Sequence, residues 1–203
     1  FLALPHGVSH KYVKSLYNKL QIIDLSADFR LDDVSIYNNI YNNEHSCPEL
    51  LNEFVYGLTE INKSELLNKN SVSVPGCYPT SILLPLYPLL KNNLIKNHNI
   101  IIDSKSGYSG AGKKFHLENI KNKKDYNFYN YNTNKHRHIC EIQQELNKYS
   151  SETVRFSFNP HILPVFRGMM STIYCDLNEG IKRDEIVSIF ENFCSDSKFL
   201  HFF

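Results

Sequence analysis

Short apolar runs that alternate with a helical stripe constrain this chain more than any other feature. Phe1-Leu2-Ala3-Leu4 stops at Pro5-His6-Gly7, and Gln21-Ile22-Ile23-Asp24-Leu25-Ser26 ends at the loop Ala27-Asp28-Phe29-Arg30. Between them, Val8, Tyr12, Val13, Leu16 and Leu20 recur at helical spacing. Strand, helix and strand within residues 1–26 make a βαβ unit with a buried parallel sheet. The spacing predicts a further strand at Ser71–Val74, stopped by Pro75-Gly76, and another at Asn99–Ser104, leading into Gly107-Tyr108-Ser109-Gly110-Ala111-Gly112.

The rest of the chain fills in an α/β pattern. Residues 31–70 read as short helices and loops around Val55-Tyr56-Gly57-Leu58, and an apolar helix is predicted over 80–90, bent at Pro85 and Pro88. Ile139, Ile142, Leu146 and Tyr149 give a second stripe; strands are expected over 153–158 and 170–177, and a helix over 184–194. Residues 113–135 are rich in Lys, Asn and Tyr and read as a polar excursion or mobile surface segment. No linker separates independent domains, and a boundary is placed near Gly76, giving 1–76 and 77–203. Both ends read as cuts through a longer α/β chain: Phe1 opens inside a strand, and Phe199-Leu200-His201-Phe202-Phe203 is very apolar for a free terminus.

Composition excludes several classes. Lys and Arg number 22 against 21 Asp and Glu, a net charge of +1, which removes the basic excess that nucleic acid or an anionic membrane would demand. A hydrophobic fraction of 42% supports a packed core, and no apolar run reaches the ~18 residues of a membrane helix. The five cysteines, Cys47, Cys77, Cys140, Cys175 and Cys194, show neither a zinc-type pair nor a complete disulfide framework. A reducing, cytoplasmic setting with free thiols, and no metal, is expected.

Chemistry concentrates in Pro75-Gly76-Cys77-Tyr78-Pro79-Thr80. A cysteine between a strand and a helix start has unpaired amides and the helix dipole beside its sulfur, which favour the thiolate. Gly76 permits the sharp turn and Pro79 is tolerated in the first helical turn. Most free cysteines merely pack; the setting of Cys77 reverses that default. His136-Arg137-His138-Ile139-Cys140-Glu141 enters a helix: a histidine could donate a proton to an oxyanion, Arg137 could hold an anionic substrate, and Glu141 could orient a histidine or receive a cation. A solvated surface or a metal site would explain the same motif, and metal is disfavoured because no other ligand cluster has sensible spacing. Ser106–Gly112 has the order G-x-x-G-x-G rather than the dinucleotide fingerprint, and a tight turn accounts for it equally well. Arg30 sits where open α/β sheets place ligand groups, with an ordinary surface arginine as the alternative. A structural role is expected for His161, and Arg167 is a weaker ligand candidate.

Taken in order, FLALPHG (1–7), IIDLSADFRL (22–31), VYGLTEIN (55–62), VPGCYPTSILLPLYPLL (74–90), SGYSGAG (106–112), HRHICEI (136–142) and FNPHILPVFRG (158–168) resemble the N-acetyl-gamma-glutamyl-phosphate reductases of the aspartate-semialdehyde dehydrogenase superfamily. The resemblance implies the C-terminal part of a Rossmann NADP-binding domain followed by an incomplete α+β catalytic domain with a mixed sheet that also builds a homo-oligomer. It implies NADPH-dependent reduction of an acyl phosphate through a cysteine thioester, in arginine biosynthesis. Carried over by residue, Cys77 is the nucleophile, His136 the acid/base, and His138 and Glu141 stand close by. Arg30 and Tyr56 line the substrate site; Pro5, His6 and Gly7, with Ser106, Gly107, Ser109, Gly110, Ala111 and Gly112, touch the cofactor. The Gly-rich fingerprint and the last catalytic-domain elements of that family are not in this sequence. Cys140 stands where many relatives have proline, and residues 118–135 are unusually rich in Asn, Lys and Tyr. The rival readings are a paralogous aminoadipyl-phosphate reductase of lysine biosynthesis, a Cys/His hydrolase or acyltransferase without nicotinamide, and an inactive truncated piece.

Overall fold

The computed structural model describes residues 1–112 and 127–203. They form two compact units, one of residues 1–80 with 140–145 and the other of 81–139 with 146–203. Most of the polar excursion, residues 113–126, lies outside the described residues.

The first unit contains α1 (Ser9–Leu16), β1 (Ile22–Asp24), α2 (Val34–Tyr41), a 3-10 turn (Pro48–Glu53), β2 (Val55–Tyr56), α3 (Thr59–Leu66) and β3 (Ser71–Ser73). Its sheet runs in the order β1-β3-β2 with every pair parallel, as the βαβ pattern requires. The opening run makes a single parallel bridge, Leu2 to Asp24, held by Leu2 N–H on Ile23 O and Leu25 N–H on Leu2 O, both 2.9 Å. Pro5 follows within three residues and has no N–H to extend that ladder. β2 appears in a stretch expected to be loop: two residues before Gly57 are too few for periodicity to register. Gly57 is required by close approach, because a Cβ there would press on Val72 Cγ1 at 2.6 Å. Behind the sheet, Val13, Ile22, Phe29, Cys47, Leu51 and Phe54 form a buried cluster, with Phe29 stacked on Phe54 at 3.9 Å between ring centroids.

Helix α4 (Cys77–Lys91) begins three residues earlier than expected and continues across Pro85 and Pro88. The second unit then carries β4 (Ile100–Gly107), a 3-10 turn (Tyr108–Ala111), β5 (Tyr129–Asn130), the two ends of α5 (His138–Asn147), whose residues 140–145 belong to the first unit, β6 (Phe156–Leu163), β7 (Met169–Tyr174) and α6 (Arg183–Ser195). The sheet is mixed, in the order β5-β6-β4-β7: β4 and β6 are parallel, and the other pairs are antiparallel. On β4, Ile100, Ile102, Ser104 and Ser106 are buried while Ile101 is exposed, the period of two for a sheet covered on one face. Ser171 Oγ lies 2.7 Å from both Ser81 Oγ and Ser104 Oγ, which ties α4 to that covered face.

β6 runs five residues beyond its expected end because all eight of its residues pair with β4, from Ile100↔Phe156 to Gly107↔Leu163. Pro160 is accommodated just before the two residues that pair with β5. His161 therefore lies inside a strand, with Nδ1 3.3 Å from Asp103 Oδ1, rather than after one.

Candidate active site

In the first unit, four loops leave the carboxyl ends of neighbouring parallel segments: 5–7 after the Leu2 bridge, 25–30 after β1, Gly57 after β2 and 74–77 after β3. Open α/β sheets place their ligands at this edge. Within this unit the motifs around Pro5, Arg30, Tyr56 and Cys77 thus converge because of topology.

Cys77 is the first residue of α4 and is exposed. The turn before it is fastened from both sides. Gly76 N–H donates to Glu141 Oε1 at 2.7 Å, and Gly76 O accepts both the N–H and the hydroxyl of Thr80, at 3.0 and 2.9 Å. Packing at the strand–helix junction desolvates the sulfur and pushes the thiol above its ordinary value, despite the residue's exposure. The backbone N–H groups of Tyr78 and Cys77 and the Arg30 charge pull the other way, as a helix start should, while Glu141 adds to the rise. Desolvation outweighs the helix start.

Glu141 is 2% exposed and joins three motifs at one carboxylate. Oε1 accepts Gly76 N–H and Tyr56 O–H, each at 2.7 Å, and Oε2 lies 3.3 Å from Arg30 Nη1. Arg30, 6% exposed, also donates through Nε to Val74 O at 2.7 Å and through Nη2 to Leu25 O at 2.9 Å. Burial and the Glu141 charge hold the Tyr56 phenol far above its ordinary value, so Tyr56 is a fixed donor. Arg30 and Tyr56, expected along the substrate, direct these polar atoms at the protein. Glu141 takes the cation its sequence setting allowed for, and that cation is Arg30.

Sequence reasoning missed Asp28 and Gln144. Gln144 Oε1 accepts Asp32 N–H at 2.8 Å and its Nε2 donates to Arg30 O at 3.0 Å, which fixes the backbone beside the guanidinium. Asp28 is fully buried, and its carboxylate accepts Gly7 N–H at 2.8 Å and His10 N–H at 3.2 Å. The start of α1 is therefore already occupied by a carboxyl group, which disfavours an anion there.

In the second unit, His136 Nδ1 accepts His138 N–H at 3.1 Å at the start of α5, and the ring meets Phe158 edge-on at 5.7 Å. Burial and the Arg137 charge lower its pKa to about 4, so the imidazole is neutral at pH 7 with its proton on Nε2. His138 is buried at 8% exposure. In the 106–112 loop, the amides of Gly107, Tyr108 and Ser109 donate to Gly168 O, Val165 O and Phe166 O at 2.9–3.0 Å. A Cβ on Gly107 would stand 2.9 Å from the backbone of residues 165–167. These amides brace the neighbouring loop, leaving Gly110, Ala111 and Gly112 on the outer side, where all three are exposed. Arg167 lies over the Phe166 ring at 5.1 Å.

Residues 77–203 match the family model described as semialdehyde dehydrogenase, dimerisation domain, and residues 1–69 match semialdehyde dehydrogenase, NAD binding domain. The chain belongs to the semialdehyde dehydrogenase family. Among curated semialdehyde dehydrogenase relatives, the N-acetyl-gamma-glutamyl-phosphate reductase of Caldicellulosiruptor bescii is 48% identical over 204 residues, covering 100% of this chain and 59% of the relative. That of Ehrlichia canis is 44% identical, covering 98% and 58%; a protein of Arabidopsis thaliana named probable N-acetyl-gamma-glutamyl-phosphate reductase, chloroplastic, is 43% identical, covering 98% and 50%. The chain thus spans 59% or less of these relatives' lengths. The crystal structure of aspartate semialdehyde dehydrogenase II from Vibrio cholerae shares the fold at TM-score 0.66 and 16% identity, over 94% of this chain and 58% of that one. Within the family match, the 5–7 turn, the 25–30 loop and Tyr56 fall in the NAD binding segment, and Cys77 opens the dimerisation segment. Among the described residues, no helix is long and apolar enough to cross a membrane.

Proposed function

We propose that this chain carries the nucleophile and its supporting residues for NADPH-dependent reduction of N-acetyl-gamma-glutamyl phosphate to the semialdehyde, with release of phosphate. One observation carries the reading: an exposed cysteine at a helix start, its turn locked by Glu141, in a chain 48% identical to a reductase of that name. The 5–7 turn and the exposed tip of the 106–112 loop are the residues proposed to face the cofactor. The Candida albicans aspartate semialdehyde dehydrogenase solved with NADP has the same fold at TM-score 0.55 and 13% identity. The name of the 77–203 model supports assembly into a homo-oligomer.

The Cys77 thiolate attacks the acyl carbon, forming a C–S bond as the C–O bond to phosphate breaks. Phosphate leaves and a thioester remains on the chain. When bound, NADPH supplies the hydride that reduces the thioester carbon. The Nε2 proton of His136 is the one proposed to meet the resulting oxyanion, because Nδ1 is committed to the His138 amide. Collapse of the hemithioacetal, with loss of its hydroxyl proton, frees the aldehyde and restores the thiolate. Holding the carbonyl covalently makes hydride delivery effectively unimolecular.

The test is acylation without NADPH. Incubated with the acyl phosphate alone, the intact protein should gain the acyl mass on Cys77 and release one equivalent of phosphate; Cys77→Ser should do neither and should lose reduction. Near-normal reduction by Cys77→Ser, or an acyl mass on another residue, rejects the scheme. Acyl transfer to water without NADPH oxidation in a competent assay supports the hydrolase instead.

A further inference from the structure

Asp28 closes the start of α1 from a distance of 21 residues, and the local sequence does not require it. The residue before the helix, Val8, makes no side-chain cap, whereas a Ser, Thr or Asn there would satisfy the first amides with a neutral group. Instead a fully buried carboxylate receives Gly7 N–H and Tyr37 O–H on Oδ1, both at 2.8 Å, and His10 N–H on Oδ2 at 3.2 Å. These three donors are neutral. A buried acid held this way is a costly solution if helix stability is all it provides.

Its backbone shows what else it fixes. Asp28 N–H donates to Ser26 Oγ at 3.1 Å, Asp28 O accepts His45 Nε2 at 2.9 Å, and Ala27 N–H donates to His6 Nδ1 at 2.9 Å. The 5–7 turn is thus stitched twice to the 25–30 loop, once through Gly7 and once through His6. Gly7 has φ +82°, and a Cβ there would run into the Asn43 side chain, so the turn requires glycine at this position. The turn so fixed still presents Pro5 to solvent. Two residues further along the same loop, Arg30 holds Val74 O, three residues before Cys77.

From this we infer that Asp28 is a positioning residue: it sets the Pro5-His6-Gly7 turn for an uncharged part of the cofactor, while Arg30 on the same loop braces the cysteine turn. The inference rests on the reductase reading, and the two can fail separately.

The experiment compares the intact protein with Asp28→Asn and Tyr37→Phe by three measurements. Hydrogen exchange of residues 5–12 without cofactor should quicken about tenfold in Asp28→Asn, as expected when a hydrogen bond to a charged group is lost. The NADPH dissociation constant, by fluorescence titration, should rise about tenfold in Asp28→Asn and ~3-fold in Tyr37→Phe, which keeps the carboxylate. Iodoacetamide alkylation of Cys77 should stay within about twofold of the parent in both, because Arg30 is untouched. Should Asp28→Asn not fold, Tyr37→Phe decides by the same measurements. A parent that binds NADPH with variants that bind equally well overturns the inference and leaves the reductase reading standing. Alkylation that changes in step with NADPH affinity reduces Asp28 to a fold residue and also overturns it. A parent that binds no NADPH overturns both.

Discussion

Glu141→Gln isolates one charge in a site otherwise conserved in shape. Glutamine can keep Gly76 N–H and Tyr56 O–H on its remaining oxygen, both 2.7 Å in the parent, but it then turns an NH2 toward Arg30 Nη1. The guanidinium is 6% exposed and loses its counter-charge. At 3.3 Å and an effective dielectric of ~20, the pair attracts by about 5 kcal/mol before desolvation is counted. Removing one partner of a buried pair costs ~3–5 kcal/mol because the other charge is stranded. For a chain of 203 residues, 3 kcal/mol corresponds to a fall in Tm of ~6–12 °C. Urea and thermal unfolding of Glu141→Gln, Arg30→Met and the double variant measure this. The double variant should recover at least ~2 kcal/mol relative to the sum of the singles. Additivity within ~0.5 kcal/mol would refute the clasp as an energetic unit.

Arg30→Met should also move the Cys77 thiol further upward, since the guanidinium is one of the groups that lowers it; a pH profile of iodoacetamide alkylation that shifts down, or does not move, contradicts this. His136 titrates near 4 when folded and 6.5 when unfolded, so the unfolded chain binds more protons between those values. Stability from this group is complete above pH 6.5 and is lost as pH falls through 4. His136→Asn, which keeps an acceptor for the His138 amide but does not titrate, should flatten urea-unfolding free energy between pH 6.5 and 4; an unchanged slope rejects the assignment. Phe29→Ala removes a ring stacked on Phe54 at 3.9 Å and edge-on to His45 at 5.1 Å. It should cost ~3–5 kcal/mol in urea unfolding, and a loss below ~1 kcal/mol would show that the 25–30 loop does not depend on that anchor.

Elements with a strong period, such as α1, β1 and β4, were legible because burial on one face leaves a repeat in the sequence. β2 was not: two residues cannot establish a period, and its place depends on Gly57 passing against β3. β6 was underestimated because its extent is set by parallel pairing along the whole of β4, which carries the strand through Pro160 and leaves no local mark in the sequence. Cys77 was visible from local chemistry, as strand, glycine, cysteine and helix. The partners that fix its turn were not. Glu141 lies 65 residues away from Gly76 and Asp28 lies 21 from Gly7, and no spacing rule links positions so far apart. The expectation of an activated thiol at the helix start named the right amides but left out the desolvation that opposes them.

Residues 140–145 cluster with 1–80 although the chain on either side of them belongs to the other unit. A recombination breakpoint at the apparent boundary near residue 76 would therefore sever Arg30 and Tyr56 from their acceptor. Chimaeras that exchange residues 1–76 between family members should inherit a mismatched salt bridge unless the short 140–145 segment travels with them. Evolution by swapping nucleotide modules is thereby restricted to partners that agree on six residues more than sixty positions downstream.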